Sequence, residues 1–176
     1  MRRVSGTHKS RIIRPPANLS VRPTTDLAKE SLFNILANRI DFELIDVLDL
    51  FAGTGNISYE FASRGAVQIT TVDIEKHCID FIKKASGEFG FNNIRTVRND
   101  VFLFLKICHV KYNIVFADPP YEMRNIQSLP DLVFDKNILK ENGVFILEHT
   151  GNISFSSHRN FSEQRNYGKV NFSFFL

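Results

Sequence analysis

The sequence predicts an α/β fold in which helices cover both faces of a mostly parallel sheet. The length of 176 residues, 43% of them hydrophobic, suits one compact domain with a core of its own. Short β-branched segments alternate with helix-length segments along most of the chain, which is typical of right-handed βαβ units. Two consecutive strand-like segments at the end of the chain predict an antiparallel hairpin that closes the sheet.

The first 24 residues differ from the rest in being polar, basic and rich in turn formers, and we predict a basic N-terminal arm containing a short hairpin over residues 1–24. The net charge is only +3, yet six cations precede the first acid: Arg2, Arg3, Lys9, Arg11, Arg14 and Arg22. Such a concentration of charge favours a polyanionic partner such as nucleic acid. Charge alone leaves a solvated tail as an equal alternative.

The predicted domain, residues 25–176, begins with a helix from residue 26 to about residue 39, since apolar residues recur there at helical spacing. The strands of the alternating region are predicted over 46–51, 67–72, 94–98, 112–117 and 143–148. The helices between them are predicted over 57–64, 76–89, 101–108 and 129–139. The closing hairpin is predicted over 161–167 and 170–176.

The first of these strands ends in a glycine-bearing turn, with Gly53 and Gly55, that runs directly into a helix. This arrangement lets the backbone approach a ligand closely and presents free helix amides to it. A dinucleotide site would require a third glycine where the chain has Ser58, and the chain contains no Walker-type motif. Asp49 would repel a pyrophosphate but tolerate an ammonium and a sulfonium group. The turn therefore favours S-adenosylmethionine over a nicotinamide cofactor.

The next two strands also end in acids. Asp73 follows the second strand and is placed to accept hydrogen bonds from both ribose hydroxyls of a nucleoside cofactor. Asp100 follows the third strand and could accept from an adenine amino group while Val101 packs on the ring. A single acid at a strand end is more often solvated, but three on one edge of a sheet favour a nucleoside site.

The fourth strand is followed by Asp118, Pro119, Pro120 and Tyr121. Two consecutive prolines cannot continue a strand or a helix, and they fix the direction of the backbone carbonyls. Methyl transfer to an exocyclic amino group needs such a corner, because Asp118 and the Pro119 carbonyl can accept its N–H groups and turn its lone pair toward the methyl group. Tyr121 offers a face for a base that has left its stack. The alternative, a turn without function, is disfavoured by the position at the proposed cofactor edge.

These motifs resemble those of class I S-adenosylmethionine-dependent methyltransferases and, more narrowly, those of the bacterial 16S rRNA guanine-N2 methyltransferases of the RsmD type. The narrower resemblance is carried by residues 22–26, by Glu30 with 32–36, and by 48–55, 63–66 and 118–121. It implies a Rossmann-like three-layer sandwich with seven strands in the order 3-2-1-4-5-7-6 and an antiparallel last strand. It also implies S-adenosylmethionine as the donor and a flipped guanine of small-subunit rRNA as the acceptor.

The resemblance completes the set of predicted site residues. The predicted catalytic residues are Asp118, Pro119, Pro120 and Tyr121. The predicted cofactor-binding residues are Thr24, Asp49, Phe51, Gly53, Gly55, Asp73, Asp100 and Val101. The predicted RNA-binding residues are the six cations of the arm. The chain departs from the family pattern after the glycine turn, where Asn56 and Ser58 replace a small residue and a glycine, and Ser58 is expected to loosen helix packing.

Two other functions are consistent with the motifs. Adenine N6 of RNA or DNA could be the acceptor, because the Asp-Pro-Pro-Tyr motif is shared among amino methyltransferases. The fold could also serve a non-catalytic RNA-binding factor of ribosome assembly. In the main interpretation the protein is a cytoplasmic monomer, without metal or membrane, that acts on 16S rRNA in the small subunit or its assembly intermediate. The two cysteines, Cys78 and Cys108, are expected to be reduced and buried.

Overall fold

The computed structural model describes Ile13 and residues 26–176. The predicted arm and its hairpin, residues 1–24, lie outside the described residues except for Ile13, which is buried in the core. The six predicted RNA-binding cations and Thr24 lie outside them as well.

The described residues form five α-helices, two short 3₁₀ helices and seven strands. The helices are α1 Asp26–Ala37, α2 Asn56–Ser63, α3 Lys76–Phe89, α4 Val101–Ile107 and α5 Leu129–Asp135. The strands are β1 Asp46–Leu50, β2 Gln68–Asp73, β3 Ile94–Arg98, β4 Tyr112–Ala117, β5 Leu139–His149, β6 Phe161–Tyr167 and β7 Val170–Phe175. None of the helices in this part of the chain is both long and apolar enough to cross a membrane.

The seven strands form one sheet in the order β3-β2-β1-β4-β5-β7-β6, which confirms the predicted order. The first five strands pair in parallel, and β7 runs antiparallel to both of its neighbours. Buried residues of α1, α2 and α3 pack on one face of the sheet, and those of α4 and α5 pack on the other. Both faces are covered because alternate side chains of the central strands, such as Val47 and Leu48, point to opposite sides.

Most predicted boundaries agree with the structure to within two residues, but those of α5 and β5 were wrong. The predicted helix 129–139 ends at Asp135, and β5 begins at Leu139, before the predicted start at residue 143. Asn137 has a left-handed backbone with φ of 51°, which stops the helix. The strand is also irregular, since its pairing with β4 shifts register between Tyr112 and Ile114.

Gly143 lies in this irregular strand at a position that leaves no space for a side chain. A Cβ atom at Gly143 would lie 2.9 Å from the Lys140 carbonyl oxygen and 3.1 Å from that of Tyr112. Backbone atoms cannot move aside, so Gly143→Ala should lower the free energy of unfolding by about 2 kcal/mol. Gly87→Ala in α3 is the control, because nothing lies within 4 Å of its Cβ position.

The control should instead raise the free energy of unfolding by about 0.5–1 kcal/mol, because alanine favours the helix. Urea unfolding of the two variants measures both effects. Equal stability of Gly143→Ala and the wild type would contradict the crowding.

Candidate functional site

A cavity of about 470 Å³ opens at the carboxyl edge of the sheet, where the strand order reverses between β1 and β4. Ligands of open α/β sheets bind at this kind of position, and the volume suits a small molecule. The predicted site residues that line it are Asp49, Phe51, Gly53, Asp73, Asp100, Val101, Asp118, Pro119, Pro120 and Tyr121. The fold thus brings the predicted cofactor-binding and catalytic residues of the described chain to one place, with the exception of Gly55.

The turn after β1 forms one wall of the cavity and has an unusual backbone. Phe51 and Gly53 have φ angles of 58° and 53°, so both lie in the left-handed region. The Gly53 amide donates to Asp73 Oδ2 at 2.7 Å, which ties the turn to the end of β2. The other carboxylate oxygen of Asp73 accepts the Glu75 amide at 2.8 Å. Asp73 therefore organises both loops beside the cavity.

Gly55 does not line the cavity, although it was predicted with the cofactor-binding residues. It precedes α2 with a φ of 77°, and a Cβ there would lie 2.9 Å from Ile82 Cγ1 and 2.9 Å from Tyr59 Cζ. Its place in the structure is explained by packing: a side chain would push the start of α2 away from α3.

Asp49 is buried beneath the turn, and Ser58 of α2 contacts it. The Ser58 hydroxyl donates to Asp49 Oδ2 at 2.5 Å. Burial raises the pKa of Asp49 from its ordinary 3.8 to about 7, and the charge of Asp73 adds to the rise, whereas the hydrogen bonds from Ser58 lower it. Ser58 is itself fully buried with its hydroxyl bonded to Asp49, and the expected loosening of the helix stays a prediction.

The remaining acids and the diproline corner complete the cavity. Asp100 caps α4, because its Oδ1 accepts the Leu103 amide at 3.0 Å. The corner after β4 begins with the Asp118 amide 3.4 Å from the Leu50 carbonyl, and it continues with Pro119, which is buried. Tyr121 is 43% exposed while lining the cavity, so it is accessible to a second molecule.

Several residues that line the cavity were not predicted. They directly follow the strand ends or the glycine turn, a positional signal that could have identified them: Thr54, Asn56, Ile57, Ile74 and Glu75. Lys29 had no such signal, yet it is fully buried in α1, and its Nζ donates to Asn56 Oδ1 at 3.0 Å. Within residues 26–176, no group of three or more His, Cys, Asp or Glu is placed to hold a metal ion.

Comparison with known proteins gives a consistent set of relatives. The family model described as Conserved hypothetical protein 95 matches residues 1–176. Ribosomal RNA small subunit methyltransferase D of Buchnera aphidicola subsp. Baizongia pistaciae is 30% identical over 151 residues, covering 86% of this chain and 76% of that protein. The protein of the same name from Escherichia coli (strain K12) is 30% identical over 150 residues, covering 84% and 74%. The solved structure of yhhF from Escherichia coli is 28% identical, with a TM-score of 0.87 and coverage of 99% and 96%.

The burial of Asp49 makes the stability of the protein depend on pH. Because its pKa of about 7 exceeds the ordinary 3.8, the folded chain binds more protons than the unfolded chain between these values, and stability is lost as the pH rises through them. Asp49→Asn removes the charge. The substitution should therefore stabilise the folded protein by about 2 kcal/mol more at pH 8 than at pH 5.

Chemical denaturation at the two pH values measures this difference. Asp135→Asn provides the control, because the Asp135 side chain is exposed on α5. Its effect should be small and the same at both pH values. An effect of Asp49→Asn that does not change with pH would contradict the burial of a charge at this position.

Proposed function

We propose a function from one premise, which is that the chain belongs to the family described as Conserved hypothetical protein 95. The resemblance to class I methyltransferases of the RsmD type is confirmed by this match and by the relatives. The proposed activity is transfer of a methyl group from S-adenosylmethionine to the exocyclic N2 of a guanine in 16S rRNA. One observation carries the proposal: Asp118 to Tyr121 lie on the wall of the cavity that contains the three strand-end acids.

S-adenosylmethionine is the methyl donor, and when bound it supplies an electrophilic methyl group on a sulfonium sulfur. The side chains of the cavity fit this molecule, because carboxylates line it together with apolar Val101 and Ile74. Asp73 binds the ribose hydroxyls through lone pairs that the Gly53 and Glu75 amides leave open. Asp100 accepts from the adenine amino group through the oxygen that does not cap α4, and Asp49 faces the cationic end.

The diproline corner holds the acceptor. Asp118 and the Pro119 carbonyl accept the two N–H groups of the guanine amino group, which directs its lone pair toward the methyl group. With its lone pair directed in this way, the amino nitrogen would accept the methyl group as the methyl–sulfur bond breaks, and Asp118 would take the proton that the nitrogen releases. Tyr121 supports the flipped base by stacking. Alignment is the main contribution of these residues.

The basic arm supplies the contacts with the RNA backbone in this proposal. The residues concerned are Arg2, Arg3, Lys9, Arg11, Arg14 and Arg22, with Thr24 beside the donor. They lie outside the described residues, so their contacts rest on their charge and on the resemblance.

Asp118→Ala should abolish methyl transfer without abolishing cofactor binding, since in this proposal the carboxylate binds the acceptor and not the donor. We expect turnover to fall by a factor of about 100 or more, with the affinity for S-adenosylhomocysteine changed less than about threefold. The assay uses tritiated donor with undermethylated small ribosomal subunits, and calorimetry measures the affinity. Asp135→Ala, an exposed position on α5, should leave both unchanged.

Mass spectrometry of the methylated nucleosides identifies the acceptor in the same assay. Detection of N2-methylguanine would support the proposal. Detection of N6-methyladenine would mean that adenine is the acceptor and that the mechanism is otherwise the same. Binding of RNA without any methyl transfer would instead identify a non-catalytic assembly factor. Full turnover in Asp118→Ala would remove the proposed role of the corner.

The exposed ring of Tyr121 gives a second prediction. Tyr121→Phe keeps the stacking face and should retain most of the wild-type kcat/KM for small subunits. Tyr121→Ala removes a contact worth about 1–3 kcal/mol, so kcat/KM should fall about tenfold to a hundredfold. The affinity for S-adenosylhomocysteine should stay the same in both variants. If alanine and phenylalanine perform equally, the base does not lie on this ring.

A further inference from the structure

The buried ammonium group of Lys29 fixes the orientation of a side chain at the cavity. Lys29 Nζ lies 3.0 Å from Asn56 Oδ1 and 3.8 Å from Asp26 Oδ1. An ammonium group can only donate hydrogen bonds, so it has to face the oxygen of the Asn56 amide and not the nitrogen. The amide nitrogen, Nδ2, is therefore turned to the side away from Lys29.

That nitrogen is a buried donor without a partner. Within the described part of the chain, Asn56 Nδ2 has no hydrogen-bond acceptor, although the residue is only 8% exposed and lines the cavity. An unpaired buried donor costs about 1–3 kcal/mol, and native proteins seldom leave one without a reason. An acceptor that enters the cavity with a ligand would provide the missing partner.

We propose that Asn56, held in place by Lys29, binds the carboxylate of the methyl donor. This inference rests on the proposed function, because it takes S-adenosylmethionine as the ligand. The carboxylate is the only anionic group of that molecule, and the helix dipole also favours an anion at the start of α2. Asp49 lies at the neighbouring strand end and suits the ammonium group of the same amino-acid moiety.

The position of Ser58 links these two contacts. Ser58 and Asn56 both belong to the first turn of α2, and Ser58 bonds to Asp49. Asp49 and Asn56 both line the cavity, so the two ends of a zwitterion would meet a carboxylate of β1 and an amide donor of α2. A small residue at position 56, which the family pattern implies, could not supply the amide, so this contact would be particular to this chain.

Two ligands that differ only in the carboxylate provide the test. Calorimetry compares S-adenosylhomocysteine with its decarboxylated analogue, in which hydrogen replaces the carboxylate. Asn56→Ala should weaken binding of S-adenosylhomocysteine about tenfold, as expected for loss of a hydrogen bond to a charged group, and should change binding of the analogue less than about twofold. Lys29→Met, which releases the amide oxygen, should show the same selectivity.

Ser86→Ala is the matched control, since it also removes a buried polar atom that lacks a partner among the described residues, but Ser86 does not line the cavity. It should change the affinity for neither ligand. Equal loss for both ligands in Asn56→Ala, or no loss for either, would overturn the carboxylate contact while leaving the proposed function intact. Failure of the wild type to bind S-adenosylhomocysteine would instead overturn the proposed function itself.

Discussion

The geometry of the whole site depends on the hydrogen bond from the Gly53 amide to the Asp73 carboxylate, 2.7 Å long. It connects the turn after β1 to the end of β2 and holds Gly53 in a left-handed conformation that a residue with a Cβ would resist. Since the second oxygen of Asp73 accepts the Glu75 amide, one acid stabilises two loops. A carboxylate suits this position because both of its oxygens are acceptors, whereas an amide side chain has only one. Asp73, at the end of β2, therefore holds the walls of the cavity in place even without a ligand.

The charge of the cavity follows from the same topology. Strands β1 to β4 run parallel, so the acids at their ends, Asp49, Asp73, Asp100 and Asp118, come to a single edge of the sheet. None of the described residues that line the cavity is Lys, Arg or His. Such an environment favours a ligand with positive charge and disfavours a phosphate. In the proposed function, contacts with RNA phosphates must then come from residues other than the described ones that line the cavity.

Local patterns in the sequence predicted the fold class and most of the cavity, whereas the strand order came from the resemblance to a known family. Acids at strand ends, the glycine turn and the diproline corner are short motifs, and a parallel sheet places every strand end on a known edge. Contacts that depend on packing were not predictable. Lys29 and Asn56 are 27 positions apart, and a lysine in an amphipathic helix is normally exposed. The boundary between α5 and β5 was wrong because Ile138 and Leu139 fit both helical and strand periodicity, and only the left-handed Asn137 separates the two elements.

The departure of α2 from the glycine-rich pattern changes what its first turn contributes. Positions 56 and 58 are about 200° apart around a helix, so their side chains point in nearly opposite directions, one toward Lys29 and the other toward Asp49. With a small residue at position 56 and glycine at position 58, the first turn of α2 would offer only backbone amides. In this chain Asn56 and Ser58 add two oriented polar side chains to it. The Ser58 hydroxyl stabilises the charged form of Asp49 against the effect of burial, and the Lys29 ammonium sets the direction of the Asn56 amide. Ser58 is fully buried, and through its hydroxyl the acid beneath the helix gains a hydrogen-bond donor that a glycine side chain could not supply.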